Sequence, residues 1–184
     1  MSEGIDRWDR EHRNFARLLD AFESQLSALR GNGDPDYDLM LDIMDYLTGY
    51  SDSVHHPRED VIFAKVAQCD PSAAQAVEEL AGQHQKMADD GRLLRSRLQS
   101  IVNGAVESRD AIESGGREYV DTLRRHMEKE YREVFPVARK VLTAADWEQV
   151  DAERGALQAD PLTEERLGQQ YAALRRLIGA PGRR

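Results

Sequence analysis

Four long stretches of this chain repeat apolar residues every three to four positions, and a histidine interrupts the apolar stripe of each. In the first, His12 extends the series Phe15, Leu19, Phe22, Leu26 and Leu29 backward by one step. In the second, Leu41, Met44 and Thr48 lead to His55 and Glu59, then to Ile62 and Val66. In the third, Val77, Leu80, Met87, Leu94, Leu98 and Ile101 hold His84 between Leu80 and Met87. In the fourth, His126 and Glu130 fill the gap between Leu123 and Val134, in a series running from Ile112 and Tyr119 to Val137 and Val141. Residues four apart on a helix share a face, so His55 with Glu59, and His126 with Glu130, each aim one imidazole and one carboxylate the same way.

Breakers cut the chain where the stripes end. The first helix is expected from about Ile5 to Arg30, stopped by Gly31-Asn32-Gly33-Asp34-Pro35, and the second from Tyr37 to Ala67, closed by Cys69-Asp70-Pro71. The third begins near Pro71-Ser72 and ends around Asn103-Gly104; the fourth covers Ser108 to Leu142. Thr143 to Asp146 resembles a capping box with Asp in place of Glu and starts a short helix through Trp147. Asp160-Pro161-Leu162-Thr163 precedes a last helix toward Ile178. The expected fold is all-α: an up-down-up-down antiparallel four-helix bundle over residues 1–142, with a C-terminal helical extension, 143–184, packed on it.

One histidine on an apolar face is most often a hydrogen-bonded core residue. Four buried imidazoles with two buried carboxylates need more than that, because buried charge without a partner is costly and cations are mostly missing from these stripes. A metal supplies the positive charge. Imidazole and carboxylate without thiolate suit iron, manganese or zinc, and there are too many donors for one closed four-ligand zinc site. The positions of Glu59 and Glu130 suggest carboxylates bridging two irons.

These residues resemble the hemerythrin-like family, the HHE cation-binding bundles. The match rests on His12 within Arg10-Glu11-His12-Arg13, on His55-His56-Pro57-Arg58-Glu59-Asp60 followed by Val61-Ile62-Phe63, on His84, and on His126-Met127-Glu128-Lys129-Glu130. It covers about residues 5 to 142. The resemblance implies an antiparallel bundle around two non-haem iron ions, oxo- or hydroxo-bridged. It makes His12 and His55 ligands of one iron, His84 and His126 ligands of the other, and Glu59 and Glu130 the bridges. The chain departs from oxygen-carrying hemerythrins at Ala88, where they place a second helix-three histidine, and at Glu130, four residues after His126, where they use an aspartate at five. Both departures argue against reversible oxygen carriage.

His56 has two readings. It lies about 100° round the helix from His55, but Pro57 cannot donate to the carbonyl of Ser53 and disturbs the turn before it, which can swing His56 toward the iron of His84 and His126. Some HHE relatives place a ligand here. The other reading is an outer or surface histidine. Ferritin-like carboxylate bundles compete less well, since Asp9-x-x-His12 and Asp52-x-x-His55 leave His84 and His126 without glutamate companions.

Tyr119 and Tyr50 read as core tyrosines, with hydrogen bonding to an iron-bound species as the other role; Trp8 as a shield for the His12 iron; Met87 as packing. Gly91 and Gly116 leave room either for a channel or for close helix approach. Cys69, the single cysteine, excludes an internal disulfide and has no catalytic partner nearby in sequence. The net charge of −9 argues against nucleic acid and anionic membrane, no apolar run is long enough to span a bilayer, and no secretory signal is visible, so the cytoplasm is expected. The functional expectation is a di-iron protein that binds or reacts with dioxygen, peroxide or nitric oxide at an open iron position. The alternative is a non-catalytic iron or oxygen sensor acting through metal-dependent conformational change. Whether it is an enzyme, and which protein partner it has, the sequence leaves open.

Overall fold

The computed structural model describes residues 3–31, 33–153, 160–163 and 171–179. Those residues form a bundle of helices with no strand among them. Helix α1 (Glu3–Arg30) packs against α5 (Arg109–Lys129), and α5 against α4 (Ala74–Val102). Starts are set by local chemistry. Asp36 accepts from the Leu39 N–H ahead of α2 (Tyr37–Tyr46), and Ser108 from the Ala111 N–H ahead of α5. Gly104, at φ 88°, ends the run of α4 in a backbone region that favours glycine.

Two expected helices are not continuous. The second breaks into α2, a π-helical stretch over Leu47–His55, and α3 (His56–Cys69). The fourth breaks into α5, a π-helical stretch over Glu130–Val134, and α6 (Phe135–Val141). The cause is shared. His56 N–H bonds to the carbonyl of Ser51 and Phe135 N–H to that of Glu130, each five residues back, and each donor immediately precedes a proline, Pro57 or Pro136. A proline ring crowds the carbonyl four residues before it and offers no N–H, so the turn widens to admit one extra residue. The stripe then slips. Phe135 and Ala138 fill the core, 0% and 1% exposed, while Val137 and Val141, expected inward, are only half-buried.

Two apolar clusters form the core. One gathers Phe15, Phe22, Met44, Met87, Leu98 and Leu123; the other gathers Trp8, Ile62, Phe63, Leu80, Val134 and Phe135. The interrupting histidines and glutamates lie between them in every helix. Past the bundle, Thr143 and Asp146 form the expected capping box (Thr143 N–H to Asp146 Oδ2, 2.8 Å; Asp146 N–H to Thr143 Oγ1, 3.4 Å) and open α7 (Ala144–Glu153). Helix α7 packs on α3, and Trp147 meets Trp8 edge-on at 5.2 Å. Helix α8 (Ala172–Leu177) rests on α1 and α2, burying Leu174 and Ile178 with Phe15's cluster. The remainder of the expected last helix, 164–170, lies outside the described residues. No described helix is long and apolar enough to cross a membrane.

Candidate metal centre

His12 comes from α1, His55 from the end of the first π stretch, His56 and Glu59 from α3, His84 from α4, His126 from α5, and Glu130 opens the second π stretch. All seven are buried, with His55, Glu59, His126 and Glu130 at 0% exposure. Their donor atoms converge. His12 Nε2 lies 3.0 Å from His55 Nε2, and His84 Nε2 lies 3.0 Å from His126 Nε2. Glu59 spans the two pairs: Oε1 is 3.0 Å from His55 Nε2 and 3.4 Å from His12 Nε2, and Oε2 is 3.5 Å from His84 Nε2. Glu130 spans them too, with Oε1 3.1 Å from His126 Nε2 and Oε2 3.4 Å from His12 Nε2.

The outer nitrogens decide what the inner ones can be. His55 Nδ1 is 2.5 Å from Glu11 Oε2, His84 Nδ1 is 2.8 Å from Asp60 Oδ1, and His126 Nδ1 is 3.1 Å from Gln83 Oε1. An Nδ1–H donating to oxygen leaves Nε2 as a lone pair in a neutral imidazole. His84 Nε2 and His126 Nε2 face each other across 3.0 Å, a distance at which one of them must hold a cation, a proton or a metal ion, for the other to point at. Both oxygens of Glu59 and both of Glu130 are buried without an aligned hydrogen-bond donor. Imidazole nitrogens and carboxylate oxygens crowded together repel unless positive charge lies among them, as protons in the metal-free chain or as metal ions that displace them. Ligand atoms about 2.1 Å from one ion, the ordinary metal–imidazole distance, and at right angles to each other lie about 3.0 Å apart, the spacing seen here. The donor set fits metal ions.

Two groups have their candidate ligand atoms within 4.8 Å of one another: His12, His55 and Glu59; and His56, Glu59, His84 and His126. Glu59 belongs to both. A scan against family models matches residues 3–138 to the hemerythrin HHE cation binding domain. The chain belongs to the hemerythrin HHE family. No curated protein and no solved structure matches it.

In this hemerythrin-family site the chain's own charges sort the histidines. Burial pushes the His55 imidazolium down, but Glu59 and Glu11 outweigh it and raise its pKa to about 10. Burial likewise opposes His84, and Asp60 with Glu59 lifts it to about 9. Burial and the neighbouring His84 drop His126 to about 3 and hold His56 well below the usual range. Burial raises Glu59, yet His55 and its neighbours hold it low; burial and Glu59 keep Glu130 well above the ordinary carboxyl value. His126 and His56 are thus neutral donors, while His55 and His84 bear protons that a metal must displace.

His56 is 3% exposed and stacks on His84 at 4.3 Å and 14°, so it is not a surface residue. Its Nε2 is 3.1 Å from Ser51 Oγ and its Nδ1 3.3 Å from Asp52 Oδ1. Asp52 is pushed up to about 7 by burial. Sequence reasoning missed Glu11, Asp60 and Gln83, yet a signal was present. Each is the chain neighbour of a candidate ligand (His12, Glu59, His84) and serves the histidine of a different segment. One residue along a helix is about 100° round its axis, which turns the neighbour toward the next helix.

Other candidates resolve more simply. Tyr50 donates to Glu11 Oε1 at 3.1 Å. Trp8 stacks on Phe135 at 5.6 Å, and Phe135 in turn stacks on His12 at 5.8 Å, so Phe135 stands between them. Gly91 and Gly116 serve close approach: an added Cβ would lie 3.1 Å from Tyr119 Cε2 and from Thr48 Cγ2 in the first case and 2.6 Å from Leu26 Cδ2 in the second. Met87 is core, and Cys69 is exposed.

Proposed function

We propose that the site holds two iron ions. His12 and His55 serve one, His84, His126 and His56 the other, with Glu59 and Glu130 bridging. The observation that carries this reading is the pair of carboxylates, each reaching at least one histidine of both groups with oxygens that have no aligned donor. Imidazole and carboxylate donors without thiolate favour iron or manganese over a closed zinc site. An iron pair bound here would supply electrons and a binding place for dioxygen, peroxide or nitric oxide. The His12–His55 side would offer two imidazoles against three on the other, and so would leave more room for such a ligand.

The chain's residues provide the surroundings for that chemistry. Phe15 packs edge-on against His55 at 4.8 Å, and Phe135 and Tyr131 pack on His12 at 5.8 and 5.6 Å, so the wall here excludes water. Glu11, Asp60 and Gln83 hold three imidazoles in one tautomer and one orientation. The proposal includes the up-down-up-down arrangement of the helices, a bundle over 1–142 with 143–184 as its extension, and a cytoplasmic setting, consistent with a single exposed cysteine.

The test is elemental analysis of chelator-free protein, purified without nickel, with absorption spectra before and after air, peroxide and nitric oxide. Two irons per chain and a spectrum that responds to one of these ligands are expected. Failure to take up iron, or a single zinc, overturns the reading. A second reading, a metal-dependent sensor, is favoured by Asp160, which ties the C-terminal segment to Tyr46 and to Asn14 near His12. It requires that metal loading change the protease sensitivity of residues beyond 142.

A further inference from the structure

A column of three tyrosines leads away from the His55 side of the centre. Tyr50 and Tyr46 stack at 5.6 Å with planes 20° apart, and Tyr171, at the start of α8, meets Tyr46 edge-on at 5.6 Å. Tyr50 and Tyr46 are buried, at 4% and 0% exposure, and Tyr171 is partly exposed. Two routes connect the column to His55. Tyr50 bonds to Glu11, which holds His55 Nδ1, and Phe15 packs edge-on against both Tyr46 (6.0 Å) and His55 (4.8 Å).

The partner of Tyr46 is unusual for packing alone. A buried phenol needs one acceptor, and an amide or backbone carbonyl satisfies it at small desolvation cost. Tyr46 instead donates to Asp160 Oδ1 at 2.9 Å, a carboxylate only 5% exposed that also takes Asn14 Nδ2–H at 3.3 Å and the Leu162 N–H at 2.8 Å. Burial raises the Asp160 carboxyl and, with Asp160, raises the Tyr46 phenol. The phenol therefore stays protonated, and losing an electron requires it to lose that proton as well. An amide would keep the hydrogen bond but could not take a proton; a carboxylate does both.

We propose that Tyr46 is redox-active: when hydrogen peroxide oxidises the metal centre, Tyr46 gives one electron toward it and passes its phenolic proton to Asp160. This rests on the iron reading above. The Tyr46 O–H bond breaks and leaves a neutral phenoxyl. A second electron and proton leave the partly exposed Tyr171, its proton going to solvent. At the centre the two electrons, with two protons drawn from solvent, reduce one hydrogen peroxide, whose O–O bond breaks, to two waters; the proton on Asp160 and the one released by Tyr171 balance those two. The column carries oxidising equivalents out of the core to α8, beyond residues 3–138 that match the family.

The experiment is rapid-freeze electron paramagnetic resonance of the iron-loaded full chain after hydrogen peroxide, comparing the unaltered protein with Tyr46→Phe and Asp160→Asn. Iron content and the absorption change are followed in the same samples. A phenoxyl signal whose hyperfine pattern changes with ring-deuterated tyrosine is expected, lost in Tyr46→Phe. Asp160→Asn keeps an acceptor and a turn-forming side chain, and its signal is expected to be at least about tenfold weaker, since a positioned proton acceptor is worth that much or more. An equal signal in either variant overturns the proposal. Oxidation of the irons by peroxide with no phenoxyl in the unaltered chain overturns it and leaves the iron reading standing. Iron uptake with no response to peroxide also overturns it and leaves the iron reading standing, whereas no iron uptake overturns both.

Discussion

The two halves of the centre use the same kinds of donor and differ in what stands behind them. Behind His12 and His55 are aromatic walls, Phe15 and Phe135, and the fully engaged Glu11, with Tyr50, Tyr46 and Asp160 beyond. Behind His84 and His126 are Asp60, about half exposed, and the partly buried Gln83, with His56 stacked alongside. One half is sealed in apolar and hydrogen-bonded core; the other is two bonds from solvent. On the proposed two-ion reading the difference would separate tasks, the dry side with fewer imidazoles for a reactive ligand and the wetter side, with His56 alongside, for a firmly held ion.

Removing the residue the halves share should have the largest effect. Glu59→Ala is expected to abolish uptake of both ions, whereas His126→Ala should remove only the ion on its own side, measured by metal content per folded chain. The loss also appears as heat stability, because an ion at a hundred times its Kd contributes about 2.7 kcal/mol. If His126→Ala retains both ions and the original spectrum, the division into halves is wrong. Next come the supporting carboxylates. Glu11→Gln and Asp60→Asn should each weaken metal about 10–100-fold on their own side only, read by competition titration with a chelator; equal losses on both sides would erase the distinction.

A smaller effect is the proton count. His55 and His84, raised to about 10 and about 9, carry protons at neutral pH, so metal uptake there should release at least two. Uptake should strengthen as pH rises toward 9. The metal-free protein should behave oppositely. A histidine raised by folding stabilises below its unfolded value of about 6.5, and that stability is lost as pH rises through about 9 to 10. Calorimetry in buffers of different ionisation heat reads the release directly, and a value near zero would contradict these pKa directions. The smallest effect on the centre is expected from Gly116→Ala, whose Cβ would press on Leu26; it should cost about 1–3 kcal/mol of stability while metal per folded chain stays unchanged.

Much of this was legible in the chain. Periodicity marks His12, His55, His84 and His126 as inward, and spacing of four pairs His55 with Glu59 and His126 with Glu130. The outer acceptors were less legible, because Glu11, Asp60 and Gln83 read as ordinary polar neighbours until the adjacent helix is in place. The breaks at Pro57 and Pro136 were half legible. Pro57 pointed to a disturbed turn, but a proline alone does not say whether a helix kinks, ends or widens, and the slip that buries Phe135 in place of Val137 follows only from widening.

Residue pattern is enough for the helical class, the family and the inward set of imidazoles and carboxylates, because an amphipathic stripe must be buried and whatever interrupts it goes inward too. Tertiary structure alone decided which nitrogen of each imidazole faces the centre, that His56 lies on His84, and that Asp160 reaches Tyr46 across 114 residues of chain. Those are contacts between helices, and their distances depend on how helices settle against each other, which no spacing within one helix encodes.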